Sequence, residues 1–252
     1  MSRKRPPVTM IHGGFCGPWA FDRLAERFES AGHKVKRPAL RFHDRKDPPA
    51  ALATTSLTDY VDDLDAELGD EPPILVGHSM GGLIAQMLAA RRPVKALVLL
   101  APSPPWGVPP STLFEIAAAQ TLLLKVGFWT QILEPDAGYA ARHTFNRLPE
   151  AERAAMAARL VPESGRATFE LMHWGLDMTR ASEVDTRKVA CPVLLLAGSE
   201  DRINPPGTVA RIAQLYKDRA TFETRPGMGH WLVGEPGWEE VADRALNWLN
   251  AI

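Results

Sequence analysis

The stretch Pro72–Gly82, which reads Pro-Pro-Ile-Leu-Val-Gly-His-Ser-Met-Gly-Gly, carries the clearest structural signal in this chain. An apolar run leads directly into the pattern Gly-x-Ser-x-Gly, and the helix-forming run Leu83–Arg92 follows. This order predicts a strand, a tight turn and a helix, with Ser79 at the turn. Gly77 and Gly81 have no Cβ, so the strand and the helix can approach closely. The Ser79 hydroxyl would then lie at the positive end of a helix, where developing negative charge is stabilised.

The five-residue pattern is common by itself, and its plainer interpretation is a glycine-rich turn in which the serine caps a helix. The strand before it and the helix after it favour a nucleophile instead. A serine hydroxyl is a weak nucleophile at neutral pH and needs a base and an orienting acid nearby. A nucleophilic Ser79 would therefore require an acid and a histidine elsewhere in the chain, each following a strand.

The composition is ordinary for a soluble globular protein. The chain has 252 residues, is 45% hydrophobic and 23% charged, and has a formal net charge of −1. This balance favours no nucleic acid and no anionic membrane as a partner. The longest apolar stretch, Leu113–Leu133, is broken by Glu115, Gln120 and Lys125, although a lid that touches a membrane is the alternative. Two cysteines without metal-ligand spacing fit a cytoplasmic protein, and no metal or cofactor is expected.

Short apolar runs alternate with helical patterns along most of the chain. This alternation predicts a mostly parallel sheet of about six strands with helices on both faces. The predicted strands are Pro7–Ile11, Lys34–Pro38, the strand before Ser79, Val94–Ala101, Pro192–Gly198 and Ala220–Thr224. The predicted helices of this part are Trp19–Ala31, Leu57–Leu68, Leu83–Arg92, Thr208–Tyr216 and Trp238–Leu249.

The strand pattern stops in a proline-rich segment between residues 102 and 110. Residues 108–188 are almost all helical in pattern and contain no strand-like run. We therefore expect an inserted helical cap over residues 108–188, on a core domain of residues 1–107 and 189–252.

Two loops that follow strands supply the acid and the base. The strand Pro192–Gly198 leads into Asp201, which is the predicted orienting acid, with Glu200 as its competitor. The strand Ala220–Thr224 leads to His230, which lies beside Gly229 in the last loop and is the predicted base. The order serine, acid, histidine is the order found in α/β-hydrolases. The plainer alternatives are a polar surface turn and a packed histidine.

The other six histidines are assigned no catalytic role. We expect His12 to form hydrogen bonds in its loop, His78 to point away from Ser79 by strand alternation, and His173 to face the pocket or pack in the cap. Polar sequence contexts predict exposure for His33, His43 and His143.

A tetrahedral intermediate needs two donors aimed at its oxyanion. The backbone N–H of Met80, the residue after the nucleophile, is the first. The second is expected from the glycine-rich loop His12–Trp19, whose alternative interpretation is a flexible connection. A phosphate cradle is disfavoured because no Gly-x-Gly-x-x-Gly or P-loop pattern occurs.

Taken together, these motifs resemble the α/β-hydrolase superfamily over essentially the whole chain. The first loop, which reads His-Gly-Gly-Phe-Cys-Gly-Pro-Trp, is similar to that of the plant methylesterase and hydroxynitrile lyase branch. The resemblance implies that the Gly14 N–H is the second oxyanion donor, with Phe15 a less favoured one. Hydroxynitrile lyases of that branch need a threonine and a lysine where this chain has Gly13 and Trp231, so hydrolysis is the expected reaction.

The expected protein is a serine hydrolase that cleaves a small-to-medium apolar or aromatic carboxylic ester, thioester or lactone through an acyl-enzyme. Aromatic residues in the first loop, the cap and the histidine loop are candidate substrate contacts: Phe15, Trp129, Trp174 and Trp231. A slow-turnover ligand receptor of the same fold and a C–C bond hydrolase or perhydrolase remain alternatives. We expect a monomer or a homodimer.

Overall fold

The centre of the computed structural model, which describes residues 5–252, is a sheet of six parallel strands. In chain order the strands are β1 (Val8–Ile11), β2 (Val35–Lys36), β3 (Ile74–His78), β4 (Ala96–Leu100), β5 (Ile132–Leu133), β6 (Glu163–Ser164), β7 (Val193–Gly198) and β8 (Ala220–Arg225). The main sheet has the order β2-β1-β3-β4-β7-β8. Because all six strands run the same way, their carboxyl ends meet at one edge of the sheet.

Helices surround this sheet and fill the segment between β4 and β7. In chain order they are α1 (Asp22–Ser30), α2 (Leu57–Glu67), α3 (Met80–Ala89), α4 (Leu113–Leu123), α5 (Ala137–Tyr139), α6 (Glu150–Ala157), α7 (Gly165–Met172), α8 (Pro206–Tyr216) and α9 (Trp238–Ala251). A π-helical turn, Ala140–Thr144, continues α5. Short 3₁₀ helices lie at Pro18–Phe21, Ala50–Thr54, Phe128–Thr130, Trp174–Leu176, Thr186–Lys188 and Lys217–Arg219.

The sheet has an apolar layer on each face. Strands β3, β4 and β7 are buried along their whole length, as expected for parallel strands covered on both sides. Alternate residues separate into two clusters: Val76 and Val98 pack with α1 and α9, whereas Leu75 and Leu97 pack with α2, α3 and α8. The predicted fold class, a parallel sheet of about six strands with helices on both faces, is confirmed.

Several element boundaries differ from the sequence predictions. Helix α3 begins at Met80 rather than at Leu83, because the turn at Ser79 leads into it without a linker. Strand β2 keeps only Val35–Lys36 of the predicted run, at the outer edge of the sheet.

The segment between β4 and β7 is not purely helical, so the prediction that it lacks strands is wrong. Strands β5 and β6 pair antiparallel, with Ile132 opposite Ser164 and Leu133 opposite Glu163. Each is two residues long, too short to give an alternating pattern in the sequence. The division at residues 108 and 188 stays a prediction, and we call residues 108–188 the cap below.

Helix α4 lies on the outer surface of the cap and has no buried residue. A capping box formed by Thr112 and Glu115 fixes its first turn. Apolar side chains at and after its ends are largely exposed: Leu113, Leu124 and Val126. Within residues 5–252, no helix is both long enough and apolar enough to span a membrane.

Candidate active site

Ser79 occupies a strained turn at the carboxyl end of β3. Its backbone angles are φ 53° and ψ −124°, a region that a residue with a side chain rarely adopts. Two hydrogen bonds fix the turn: the Ser79 N–H donates to the Leu100 carbonyl (3.1 Å), and the Ser103 N–H donates to the Ser79 carbonyl (2.9 Å). Ser79 is partly exposed. The predicted strand, tight turn and helix are confirmed.

Asp201 and His230 meet at the same edge of the sheet. The His230 Nδ1 lies 2.8 Å from Asp201 Oδ2, and both side chains are buried. The other carboxylate oxygen, Oδ1, accepts the N–H groups of Ile203 (2.8 Å) and Asn204 (3.0 Å). These donors fix the carboxylate, which then sets the orientation and tautomer of the imidazole; Nε2 has no hydrogen-bond partner among residues 5–252.

Glu200, the competing acid, does not contact His230 in this arrangement. Its carboxylate lies at the surface, 3.2 Å from the Arg147 guanidinium. The structure thus brings the predicted base together with Asp201.

His78 holds the loop of His230 against the serine turn. Its Nε2 lies 2.9 Å from the His230 carbonyl oxygen, and the two imidazole rings are 4.9 Å apart. Burial, helped by the neighbouring His230, lowers the pKa of His78 to about 3. A neutral His78 therefore donates its Nε2–H to that carbonyl. This contact places the base loop next to the residue that precedes Ser79.

The glycine-rich loop lies over the serine turn. A Cβ built on Gly13 would be 3.0 Å from the Cβ of Ser79, and one built on Gly14 would be 3.7 Å from the Met80 sulfur. The Phe15 N–H is occupied, because it donates to the Glu163 carboxylate (3.2 Å). The Gly14 N–H has no acceptor among residues 5–252, which leaves it available to a ligand.

His12 stabilises the start of this loop, as predicted. Its Nδ1 lies 2.9 Å from the Gly13 carbonyl oxygen, and its Nε2 accepts the N–H of Leu40 (3.1 Å). Burial, and then the charge of His43, lower the pKa of His12 to about 3. Because one nitrogen donates and the other accepts, the neutral ring satisfies both partners.

The exposure predicted for three histidines is wrong. His33 and His43 are buried, and His143 is partly buried between the rings of Phe114 and Tyr139. Polar neighbours in sequence did not indicate exposure, because each ring packs on distant residues. His173 packs in the cap, where its Nε2 lies 2.9 Å from the Ala119 carbonyl oxygen.

The four predicted substrate contacts have different surroundings. Trp231 is 2% exposed and packs against Trp19 and Phe145 below the base loop, and its contact with substrate stays a prediction. Trp129 and Trp174 lie in the cap with part of their surface exposed, and their substrate role stays a prediction. The same holds for Phe15, which is partly buried beside the glycines of the loop.

Three residues near the site were not indicated by the sequence. Burial and the charge of Asp201 raise the pKa of Tyr139, which the cap carries close to that acid. Glu163 contacts the glycine-rich loop, and Glu235 accepts the Gly229 N–H in the base loop (2.5 Å). No local pattern marks these residues, since their role depends on contacts made after folding. The described part of the chain contains no cluster of three or more His, Cys, Asp or Glu side chains suited to a metal ion.

Comparison with known proteins fits this geometry. The model of the alpha/beta hydrolase family matches residues 10–244. The chain belongs to that family. It is 27% identical to the sn-1-specific diacylglycerol lipase ABHD11 of Mus musculus over 236 residues, which cover 90% of this chain and 76% of that protein.

A second relative is a bacterial esterase. The pimeloyl-(acyl-carrier protein) methyl ester esterase of Chromobacterium violaceum is 30% identical over 236 residues, 86% of this chain and 85% of that protein. The crystal structure of the Arabidopsis methylesterase MES16 superposes with a TM-score of 0.73 at 13% identity, covering 98% of this chain and all of that one (100%). This α/β-hydrolase therefore shares its fold with a member of the plant branch that its first loop resembles.

Proposed function

We propose that this carboxylic ester hydrolase uses Ser79 as its nucleophile, His230 as its base and Asp201 as the residue that orients the base. The observation that carries the proposal is the 2.8 Å contact between His230 Nδ1 and Asp201 Oδ2 beside the strained turn of Ser79. A buried carboxylate on Nδ1 stabilises the imidazolium that forms when Nε2 takes a proton.

In the first step, His230 Nε2 accepts the Ser79 proton while the serine oxygen attacks the acyl carbon. The oxyanion that forms accepts the N–H groups of Gly14 and Met80. The tetrahedral intermediate then breaks down, and the His230 imidazolium donates its proton to the leaving alcohol. The product of this step is an acyl-enzyme on Ser79.

In the second step, water takes the place of the alcohol. His230 accepts a proton from water, and the resulting hydroxide attacks the acyl carbon. The same two N–H groups bind the second oxyanion, and Ser79 leaves with the proton returned by His230. The carboxylic acid product and the free enzyme result, with no redox change.

The proposed substrate is a small-to-medium apolar or aromatic ester, with a thioester or lactone of similar size as a variant. The two relatives, a diacylglycerol lipase and a methyl ester esterase, are both named for cleavage of carboxylic esters. The cap supplies partly exposed aromatic surface at Trp129 and Trp174 for an apolar acyl or alkoxy group.

The test is hydrolysis of p-nitrophenyl acetate, butyrate and octanoate, a methyl aryl ester, a lactone and an acyl-CoA by wild type and Ser79→Ala. We expect turnover of at least one ester and a fall in kcat of about 10³-fold or more in Ser79→Ala, because the nucleophile is removed. Equal thermal midpoints show that both proteins are folded. Hydrolysis that survives in Ser79→Ala would refute the proposed nucleophile, and a folded wild type inactive on the whole panel would refute the ester hydrolase.

A further inference from the structure

Glu163 is a buried carboxylate that the cap places against the glycine-rich loop. It lies in β6 and is 1% exposed. Its Oε1 accepts the Tyr60 hydroxyl (2.7 Å) and the Ser164 N–H (2.7 Å). Its Oε2 contacts His43 Nε2 (2.9 Å) and accepts the Phe15 N–H (3.2 Å). Four donors around two oxygens satisfy an ionised carboxylate, whereas a protonated carboxyl would need an acceptor.

His43 supplies the matching positive charge. Its Nδ1 lies 3.0 Å from the Arg41 carbonyl oxygen and its Nε2 contacts the Glu163 carboxylate, so both ring nitrogens face acceptors. Only the imidazolium carries a proton on each nitrogen. Burial by itself lowers the pKa of His43, but the charge and hydrogen bond of Glu163 outweigh it and raise the pKa overall. The same pairing outweighs burial at Glu163 and lowers the pKa of its carboxyl.

The cap forms hydrogen bonds with both backbone polar groups of Phe15. The Phe15 N–H donates to Glu163, and the Phe15 carbonyl accepts the Val161 N–H (2.9 Å). Phe15 has φ 60°, in the left-handed region that favours glycine. The Cys16 N–H donates to the Gly13 carbonyl (3.3 Å) and closes a turn around Phe15. A bulky residue in this conformation is strained and stays there because its surroundings hold it.

We propose that Glu163 is a positioning residue for the oxyanion donors: the cap segment 161–163, with its Glu163–His43 ion pair, fixes Phe15 so that the Gly14 N–H points to the oxyanion. This inference rests on the proposed function, in which Gly14 is an oxyanion donor. If so, the oxyanion hole is complete only when the cap is docked on the core domain.

The charge balance explains why the pair contains a histidine. A lone carboxylate beside Gly14 would repel the developing oxyanion in a site that excludes water. The His43 imidazolium brings the net charge of the pair to zero, while Glu163 still accepts the Phe15 N–H. Other titratable groups also face the pair. Tyr60 donates to Glu163, and the neutral ring of His12 has its centroid 5.3 Å from that of His43. Burial and the charge of Glu163 raise the pKa of the Cys16 thiol, which stays neutral.

The test compares Glu163→Ala and Glu163→Gln with wild type on p-nitrophenyl butyrate. We expect Glu163→Ala to lower kcat about 10- to 100-fold with KM nearly unchanged, because the loop moves while the acyl pocket stays. In Glu163→Gln the amide oxygen can still accept the Phe15 N–H, so kcat is expected to recover at least partly. Equal kcat in all three proteins would overturn the proposal.

Glu170 offers a matched control in the same part of the cap. It is also 1% exposed and joins the cap to α2, but its carboxylate accepts from Ser56 and Leu57 rather than from the loop of Phe15. Glu170→Gln should lower the thermal midpoint with kcat unchanged. A fall in kcat of Glu170→Ala as large as that of Glu163→Ala would show a general effect of cap stability and would overturn the positioning role.

A measurement independent of turnover separates this inference from the proposed function. In protein labelled with ¹⁵N-histidine, the imidazolium signal of His43 should persist to higher pH in wild type and Glu170→Gln than in Glu163→Gln, which lacks the carboxylate. If no ester is cleaved but these signals appear, the proposed reaction fails and the ion pair stands. An unchanged His43 signal in Glu163→Gln would refute the ion pair, whatever the activity. If Glu163→Ala does not fold, Glu163→Asp replaces it in the kinetic comparison, because its shorter side chain draws the carboxylate away from the Phe15 N–H; the His43 signal in Glu163→Gln still decides the ion pair.

Discussion

At the scale of single residues, the buried carboxyl of Glu235 stands out by its raised pKa. It is fully buried, its Oε1 accepts the Gly229 N–H, and its Oε2 has no hydrogen-bond partner among residues 5–252. Burial raises the pKa of Glu235 to about 7, against the opposing effects of Gly229 and His230. A protonated carboxyl next to the base loop is therefore the form that the fold favours at mildly acid pH.

The raised pKa of Glu235 makes the free energy of unfolding depend on pH, and it fixes the sign of that dependence. The Glu235 pKa is higher in the folded state, so its stabilising contribution is complete below the unfolded value of 4.5 and is lost as pH rises to about 7. The free energy of unfolding should fall by up to about 3 kcal/mol over this window relative to Glu235→Gln. Urea unfolding at several pH values measures the difference. Parallel pH curves for the two proteins, or an equal change in the exposed control Glu239→Gln, would contradict it.

At the scale of elements, the contact between β3 and α3 is what holds Ser79 in its strained turn. A Cβ on Gly77 would lie 2.4 Å from the Gly81 carbonyl oxygen, and one on Gly81 would lie 2.1 Å from the Ile11 carbonyl oxygen. Both clashes are with backbone, so no side chain can move aside. Gly77 lets α3 approach β3, and Gly81 lets α3 approach the end of β1, closely enough to set the angle of the nucleophile.

Gly77→Ala should therefore destabilise the protein by about 3 kcal/mol or more, since strand and helix must separate. Gly175→Ala is the matched control, because a Cβ there meets no atom within 4 Å, and its unfolding free energy should change by less than about 0.5 kcal/mol. Urea denaturation of both variants checks this. A Gly77→Ala protein as stable as Gly175→Ala would mean that the strand and helix are not in tight contact.

At the scale of the whole molecule, the sheet and the cap contribute differently to the site. The sheet edge carries Ser79, Asp201 and His230, and this part followed from the sequence because parallel strands end at one edge and each residue follows a strand. The cap carries Glu163, which contacts His43 and Phe15 across 120 and 148 residues. No periodicity or motif connects residues so far apart, so those contacts could not be predicted.

The burial of individual side chains could not be predicted from the sequence either. His43 stands among polar neighbours and was expected at the surface, yet α2 and the cap enclose it. Trp231 follows the base, and its packing against Trp19 and Phe145 has no counterpart in the sequence pattern. In both cases distant elements decide which face of a loop is covered.

The central claim is that Ser79 carries the acyl group during turnover. The most direct test is to mix the enzyme with p-nitrophenyl butyrate, quench it in acid within milliseconds and map the modified peptide by mass spectrometry. We expect one butyryl group on Ser79 in wild type, and no such adduct in Ser79→Ala. A butyryl group on another residue, or hydrolysis at the wild-type rate by Ser79→Ala without an adduct, would contradict it.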